Sequence, residues 1–227
     1  MIKVILWDID GTLLDFLKAE HEAIKKCFQI HELGECTDEM IARYSVINRK
    51  YWEKLERGEM SKGEILVKRF EEFFALEGIQ TDCAPLFNKE FQIRLGDTIC
   101  FRDNSYELVK GLKGRIKQYA VTNGTKVAQD RKLLKSGLID LFDGVFISEE
   151  IGVEKPGIGF FEYVWEQIGE YDPSEIMIVG DSLTSDIQGG NNAGIVCCWY
   201  NPSGKLNDKS LRIDYEITDL QDILKLI

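Results

Sequence analysis

The stretch Lys3-Val4-Ile5-Leu6-Trp7-Asp8-Ile9-Asp10-Gly11-Thr12 opens on an apolar, partly β-branched run and stops abruptly at two acids and a glycine. A run of that kind predicts a short buried strand feeding a loop. The pattern then changes. From about Phe16 to Gly96 apolar residues recur at helical spacing, as in Ile24, Cys27 and Phe28, or Ile65, Leu66, Phe70, Phe73 and Phe74, without strand signals.

Beyond residue 96 strand-like and amphipathic runs alternate. Tyr119-Ala120-Val121, Val145-Phe146-Ile147, Ile176 to Val179 and Ile195 to Trp199 read as strands. Lys126 to Ser136, stopped by Gly137, and then Phe160 to Ile168 and Asp186 to Ala193 read as helices. Such alternation predicts an α/β fold, a doubly wound parallel sheet wrapped by helices. A helical block after the first strand of the series reads as an insertion. Residues 1–15 and 97–227 are therefore expected to form an α/β core domain, and 16–96 an α-helical cap domain.

Bulk properties narrow the function classes. The chain has 227 residues, 44% hydrophobic and 30% charged, a balance suited to a globular protein rather than a disordered one. Its net charge of −11 argues against nucleic acid polymers and anionic membranes as partners. The first apolar run is too short for a signal peptide and no run is long enough to span a bilayer, so a cytoplasmic location is expected. The six cysteines lack CxxC spacing and are expected to be reduced and mostly buried.

In open α/β sheets ligands gather outside the carboxyl ends of the strands. The sequence puts four groups there: Asp8 with Asp10, Thr122-Asn123-Gly124, Glu154-Lys155-Pro156, and Gly180-Asp181-Ser182 with Asp186. Asp8 and Asp10 are two apart, so on extended backbone both side chains leave one face. Taken alone, the pair serves equally well as an Asx-type turn. A calcium EF-hand loop is excluded, because Leu13 and Ala19 stand where it needs glycine and glutamate. Thr122 alone could be an ordinary strand-end hydroxyl, Lys155 an exposed loop lysine and Asp186 a helix N-cap. His21 and His31, the sole histidines, fall in the helical block, which leaves zinc and histidine-base mechanisms unsupported.

In chain order, DIDGT (8–12), VTNG (121–124), EKPG (154–157) and GDSLTSD (180–186) resemble the four motifs of the haloacid dehalogenase-like hydrolase superfamily, and the likeness spans nearly the whole chain. The resemblance implies a Rossmann-like core with a helical cap, Mg²⁺ as cofactor and a small-molecule phosphate monoester as substrate. It implies that Asp8 attacks phosphorus to form an aspartyl-phosphate, and that Asp10 protonates the leaving oxygen and then deprotonates water. Thr122, the Asn123 and Gly124 amides and Lys155 would hold phosphoryl oxygens. Asp8, the Asp10 carbonyl and Asp181 would hold the metal, with Asp186 either reaching it through water or steadying Lys155.

The charges explain why such a set is needed. A carboxylate about 4 Å from a phosphate dianion meets repulsion of about 8 kcal/mol at an effective dielectric of about 20. Unscreened, that would cost roughly six orders of magnitude in rate. The second aspartate favours phosphate chemistry, since the superfamily's dehalogenases lack one at that position.

Val46 to Trp52, Lys68-Arg69-Phe70 and Ile147 to Pro156 are similar to the pyrimidine 5′-nucleotidase branch, which implies nucleoside monophosphates such as UMP, dUMP or TMP as substrates. Gly180 to Gly194 also resembles the acylneuraminate 9-phosphatases, so a sugar-acid phosphate is the nearest rival. A sugar-phosphate mutase, and a phosphate-binding scaffold without turnover, are the other readings. Tyr44, Tyr51, Trp52, Phe70 and Phe73 could stack a base or fill the cap core, and Arg69 is a candidate substrate contact. A monomer or weak homodimer is expected.

Overall fold

The computed structural model describes every residue except Lys209. The first strand, β1 (Val4–Trp7), is buried along its whole length. Four helices follow: α1 (Phe16–Ile30), α2 (Asp38–Glu56), α3 (Lys62–Glu77) and α4 (Ala84–Asp97). Their starts are written in the sequence. The side chains of Asp15 and Thr37 cap α1 and α2, and Ser61 with Glu64 forms a reciprocal capping box on α3.

The chain then runs through α5 (Ser105–Leu112), β2 (Lys117–Thr122), α6 (Lys126–Ser136), β3 (Gly144–Ile147), α7 (Ser148–Ile151) and α8 (Ile158–Ile168). It ends with β4 (Ile176–Gly180), a π-helical turn at Leu183–Ile187, α9 (Gln188–Ala193), β5 (Val196–Tyr200) and β6 (Tyr215–Ile217). The six strands form one parallel sheet in the order β3-β2-β1-β4-β5-β6, the doubly wound arrangement expected.

Three elements escape the sequence reading: α5 has only 8 residues, α7 only 4 and edge strand β6 only 3, too few for either period to register. The helix expected over Asp186 to Ala193 also begins differently. Ser182 caps the π-helical turn, so Asp186 lies inside it and is not an N-cap.

Alternation along β1 feeds two cores. Val4 and Leu6 pack with Phe160, Phe161 and Trp199 on one face of the sheet, while Ile5 and Trp7 pack with Leu108, Leu112 and Tyr200 on the other. A third cluster belongs to α1–α4. In it Tyr44 stacks on Phe70 with ring centroids 4.9 Å apart, and Phe73, Phe74, Phe87 and Phe91 close around them.

Tyr44, Phe70 and Phe73 are therefore core residues rather than a stacking platform. Arg69, offered above as a substrate contact, is buried among them. It lies over the Phe70 and Phe91 rings and donates to Asn48 Oδ1 (2.7 Å) and Asn88 Oδ1 (3.0 Å).

The helical unit meets the sheet unit through α4 and α6. Gly96 lies so close to α6 that a methyl group there would come within 2.8 Å of Arg131 Cβ. Arg131 grips Asp97 through two bonds of 2.7 and 3.0 Å, and Thr125 Oγ1 donates to Gln92 Oε1 at 2.7 Å.

Candidate active site

The register of β1 decides where the chemistry collects. Trp7 pairs with Ala120 on β2 and Val179 on β4, so Asp8, Val121 and Gly180 end at one level. This is the switch point where the chain turns to opposite sides of the sheet, which opens a crevice above the strand ends. The Asp8 amide donates to Val179 O at 3.0 Å and fixes the start of the loop.

Thr12, fully buried, ties two loops together. Its hydroxyl donates to Asp8 Oδ2 (2.9 Å) and accepts from the Asp181 amide (3.1 Å). Two glycines permit the close approach. Gly11 has φ +99° and a methyl group there would sit 2.6 Å from Asp181 Oδ1, while one on Gly180 would overlap the Asp186 carboxylate.

Lys155, buried to 1% exposure, reaches the centre from the loop after α7. Its ammonium donates to Asp8 Oδ1 (2.9 Å), Asp186 Oδ1 (2.6 Å) and Val121 O (2.8 Å). Asp186 also accepts from the Ser182 amide at 3.1 Å. The loop carrying Lys155 is held in turn by Asn123, whose amide side chain bonds the Lys155 backbone twice, at 2.8 and 2.9 Å. Thr122 lines the cavity, and its hydroxyl accepts from the Gly124 amide at 3.0 Å.

The electrostatics are those of an acid cluster short of positive charge. Burial, with the Asp186 charge, pushes the Asp8 carboxyl up to about 7 against the pull of Lys155. Burial and the Asp8 charge push Asp181 up to about 6. Asp186 is also raised by burial, against Lys155. Burial would lower Lys155, but Asp186 and Asp8 outweigh it and hold the ammonium above the usual lysine range.

Three carboxylates against one ammonium leave negative charge in a buried place, which is costly unless a cation joins them. Asp8, Asp181 and Asp186 each present an oxygen within 4.8 Å of the others. All are hard oxygen donors, with no histidine or thiol in the cluster, so the residues fit Mg²⁺ or a similar hard divalent ion.

For Asp10 the expected metal donor is the backbone carbonyl, not the side chain. Its carboxylate stands outside that cluster and faces α6, where Lys132 Nζ bonds Oδ1 and Gln129 Nε2 bonds Oδ2 at 2.6 Å. Only its backbone carbonyl is left as a possible donor to a cation there.

Glu56, from the end of α2, is another group not expected from the sequence. It lines the cavity over Asp8 and Lys155, and burial pushes its carboxyl up to about 7. Lys132, which shares the buried stripe of α6 with Ala128, Gln129 and Leu133, had no legible signal of its own in the sequence. Glu56 had none either.

The cleft has two parts sharing Asp10, Phe16, Trp52 and Asp181. A cavity of about 160 Å³ covers Asp8, Thr122 and Lys155, and one of about 590 Å³ extends from it between α1, α2 and the loop after β5. Of the aromatics considered for base stacking, Trp52 alone lines either part.

Residues 2–194 match the family model for haloacid dehalogenase-like hydrolase. The chain is 34% identical over 225 residues to the HAD-hydrolase YfnB of Bacillus subtilis, covering 99% of this chain and 95% of that one. The crystal structure of YfnB bound to magnesium, described as revealing interdomain movement, superposes with a TM-score of 0.93 at 33% identity, over 99% of this chain and 98% of that one. The pyrimidine 5′-nucleotidase PynA of Streptococcus pneumoniae is 36% identical over 98% of this chain and 93% of its own length. For the pyrimidine 5′-nucleotidase YjjG of Escherichia coli the figures are 29%, 98% and 96%. Among the described residues no helix is long and apolar enough to cross a membrane.

Proposed function

This chain belongs to the haloacid dehalogenase-like hydrolases, and from that premise we propose that it is a Mg²⁺-dependent phosphatase acting on pyrimidine nucleoside 5′-monophosphates. The observation that carries the reading is the convergence of Asp8, Lys155, Asp181 and Asp186, from three separate strand ends, on one buried point. Asp8, Asp181 and the Asp10 carbonyl would hold the ion, with Asp186 beside it. When bound, the ion offsets charge on the phosphoryl oxygens and on Asp8.

In the first step an Asp8 carboxylate oxygen bonds phosphorus as the bond from phosphorus to the ester oxygen breaks, and that oxygen takes a proton from Asp10. In the second a water oxygen bonds phosphorus, Asp10 takes its proton, and the bond to Asp8 breaks. Lys155 keeps Asp8 ionised and in line, from a position that is itself fixed by Asn123. Thr122 and the amides of its loop receive the phosphoryl oxygens. The Gly124 amide is bonded to Thr122 and exchanges that bond for one to substrate.

The pyrimidine assignment is supported by the two nucleotidase relatives and by the larger cavity. Its volume suits a nucleoside. Its wall includes the aromatic residues Phe16, Trp52 and Tyr200 and the polar residues Ser45, Asn48 and Arg49. The helices 16–96 act in this reading as a cap that closes over the substrate. A phosphate-release screen with Mg²⁺, over nucleoside monophosphates, sugar phosphates and sugar-acid phosphates, tests the assignment. UMP, dUMP or TMP should lead. Turnover of sugar or sugar-acid phosphates with none of any pyrimidine nucleotide would refute it.

A further inference from the structure

We infer that Lys132 and Gln129 are positioning residues that set the orientation of Asp10 for proton transfer, an inference that rests on the reading of Asp10 as the proton carrier. Both oxygens of Asp10 are engaged from one helix, Oδ1 by the Lys132 ammonium and Oδ2 by the Gln129 amide at 2.6 Å. Lys132 is 1% exposed and Gln129 fully buried. They lie three residues apart on α6, so both side chains leave the same face of the helix.

A buried ammonium is expensive to place and offers little net stability. Here it is spent on a carboxylate at the junction of the two cavities, where substrate chemistry takes place.

A second observation points the same way. Gly124 has no positive φ to explain it, but a methyl group at that position would overlap the Gln129 side-chain amide. The glycine is the space through which Gln129 reaches Asp10. Gln129 Oε1 is buried without a partner. Its amide therefore holds an unused acceptor beside a carboxyl that must carry a proton in one step and release it in the other. Lys132 Nζ also lies 5.6 Å from the centre of the Phe16 ring, the first residue of α1, so the clamp touches the start of the cap.

The test compares two substrates in Mg²⁺. UMP leaves an alkoxide that needs the proton from Asp10, whereas 4-nitrophenyl phosphate leaves a stabilised phenolate that does not. For Gln129→Leu and Lys132→Met, the ratio of kcat/KM on UMP to that on the aryl phosphate should fall about 100-fold, the low end of general acid catalysis. Both variants should give a burst of nitrophenolate, because breakdown of the phosphorylated enzyme still needs Asp10. Gly124→Ala should shift the ratio in the same direction. Lys132→Arg should restore it to within about tenfold of the parent.

Equal losses on both substrates, with no burst, would mean a merely structural role and overturn the inference. So would a ratio that stays at the parent value in Gln129→Leu and Lys132→Met. Asp10→Asn separates the premise: if it leaves the ratio at the parent value, Asp10 carries no proton and the reading of that residue falls first.

Discussion

Replacing Lys155 by Met removes the ammonium and keeps most of the packing. In the parent that ammonium bonds Asp8, Asp186 and Val121 O at 2.6 to 2.9 Å in a place with 1% exposure. Without it two buried carboxylates face each other with no local cation. Removing one partner of a buried ion pair costs about 3–5 kcal/mol. For a chain of this size about 2–4 °C accompanies each kcal/mol, so Tm should fall by about 6–20 °C at pH 7.5 in EDTA.

The sign of the pH dependence follows from the shifts. Asp8 and Asp186 are already raised in the folded protein, and losing Lys155 raises them further. An acid with a raised folded pKa destabilises while it is ionised, and the penalty disappears as pH falls through that pKa. The deficit in Tm should therefore shrink at pH 5. Thermal unfolding of parent and variant at both pH values, with phosphate release in parallel, provides the assay. Equal deficits at the two pH values, or a fall of under about 2 °C at pH 7.5, would refute the charge argument. Activity near that of the parent would refute the role of Lys155.

Asp181→Asn should raise the Mg²⁺ concentration needed for half-maximal phosphate release by about tenfold or more, since it removes one of three clustered oxygens. Metal-free parent protein should lose stability as pH rises from about 4, where these carboxyls ionise in the unfolded chain, to about 6 for Asp181 and about 7 for Asp8; Asp181 contributes roughly 3 kcal/mol of that trend, complete near pH 6. Mg²⁺ should restore the loss most strongly above pH 7, as followed by calorimetry. Lys62, on α3, donates to Ser148 Oγ at 2.6 Å and lies 3.4 Å from Glu154, so it links the cap to the loop before Lys155. Lys62→Met should raise KM for the nucleotide about tenfold by weakening closure, with little change in Tm. Phe70→Ala should destabilise by about 3–5 kcal/mol in urea, because it opens the centre of the cap's aromatic cluster.

The strand ends were the most legible part of the chain. Each catalytic candidate follows a run whose length and β-branching mark a buried strand, and parallel pairing then brings those ends to one level. The details missed have local causes. The helix read as starting at Asp186 is instead preceded by a π-helical turn over Leu183–Ile187, which leaves no periodic signature. Arg69 reads as a polar face from its charge, yet the aromatic rings and Asn48 draw it inward. Lys132 and Gln129 look like ordinary members of an amphipathic helix. Only the tertiary placement of Asp10, 119 and 122 residues away in sequence, gives them a task.

The central claim is that the Asp8 carboxylate itself takes the phosphoryl group. Acid-quenching the enzyme during turnover of UMP with Mg²⁺, followed by peptide mass analysis, should place one phosphoryl group on the peptide carrying Asp8, with none in Asp8→Asn or in EDTA. A phosphoryl group on any other side chain, or hydrolysis by Asp8→Asn near the parent rate, would contradict it.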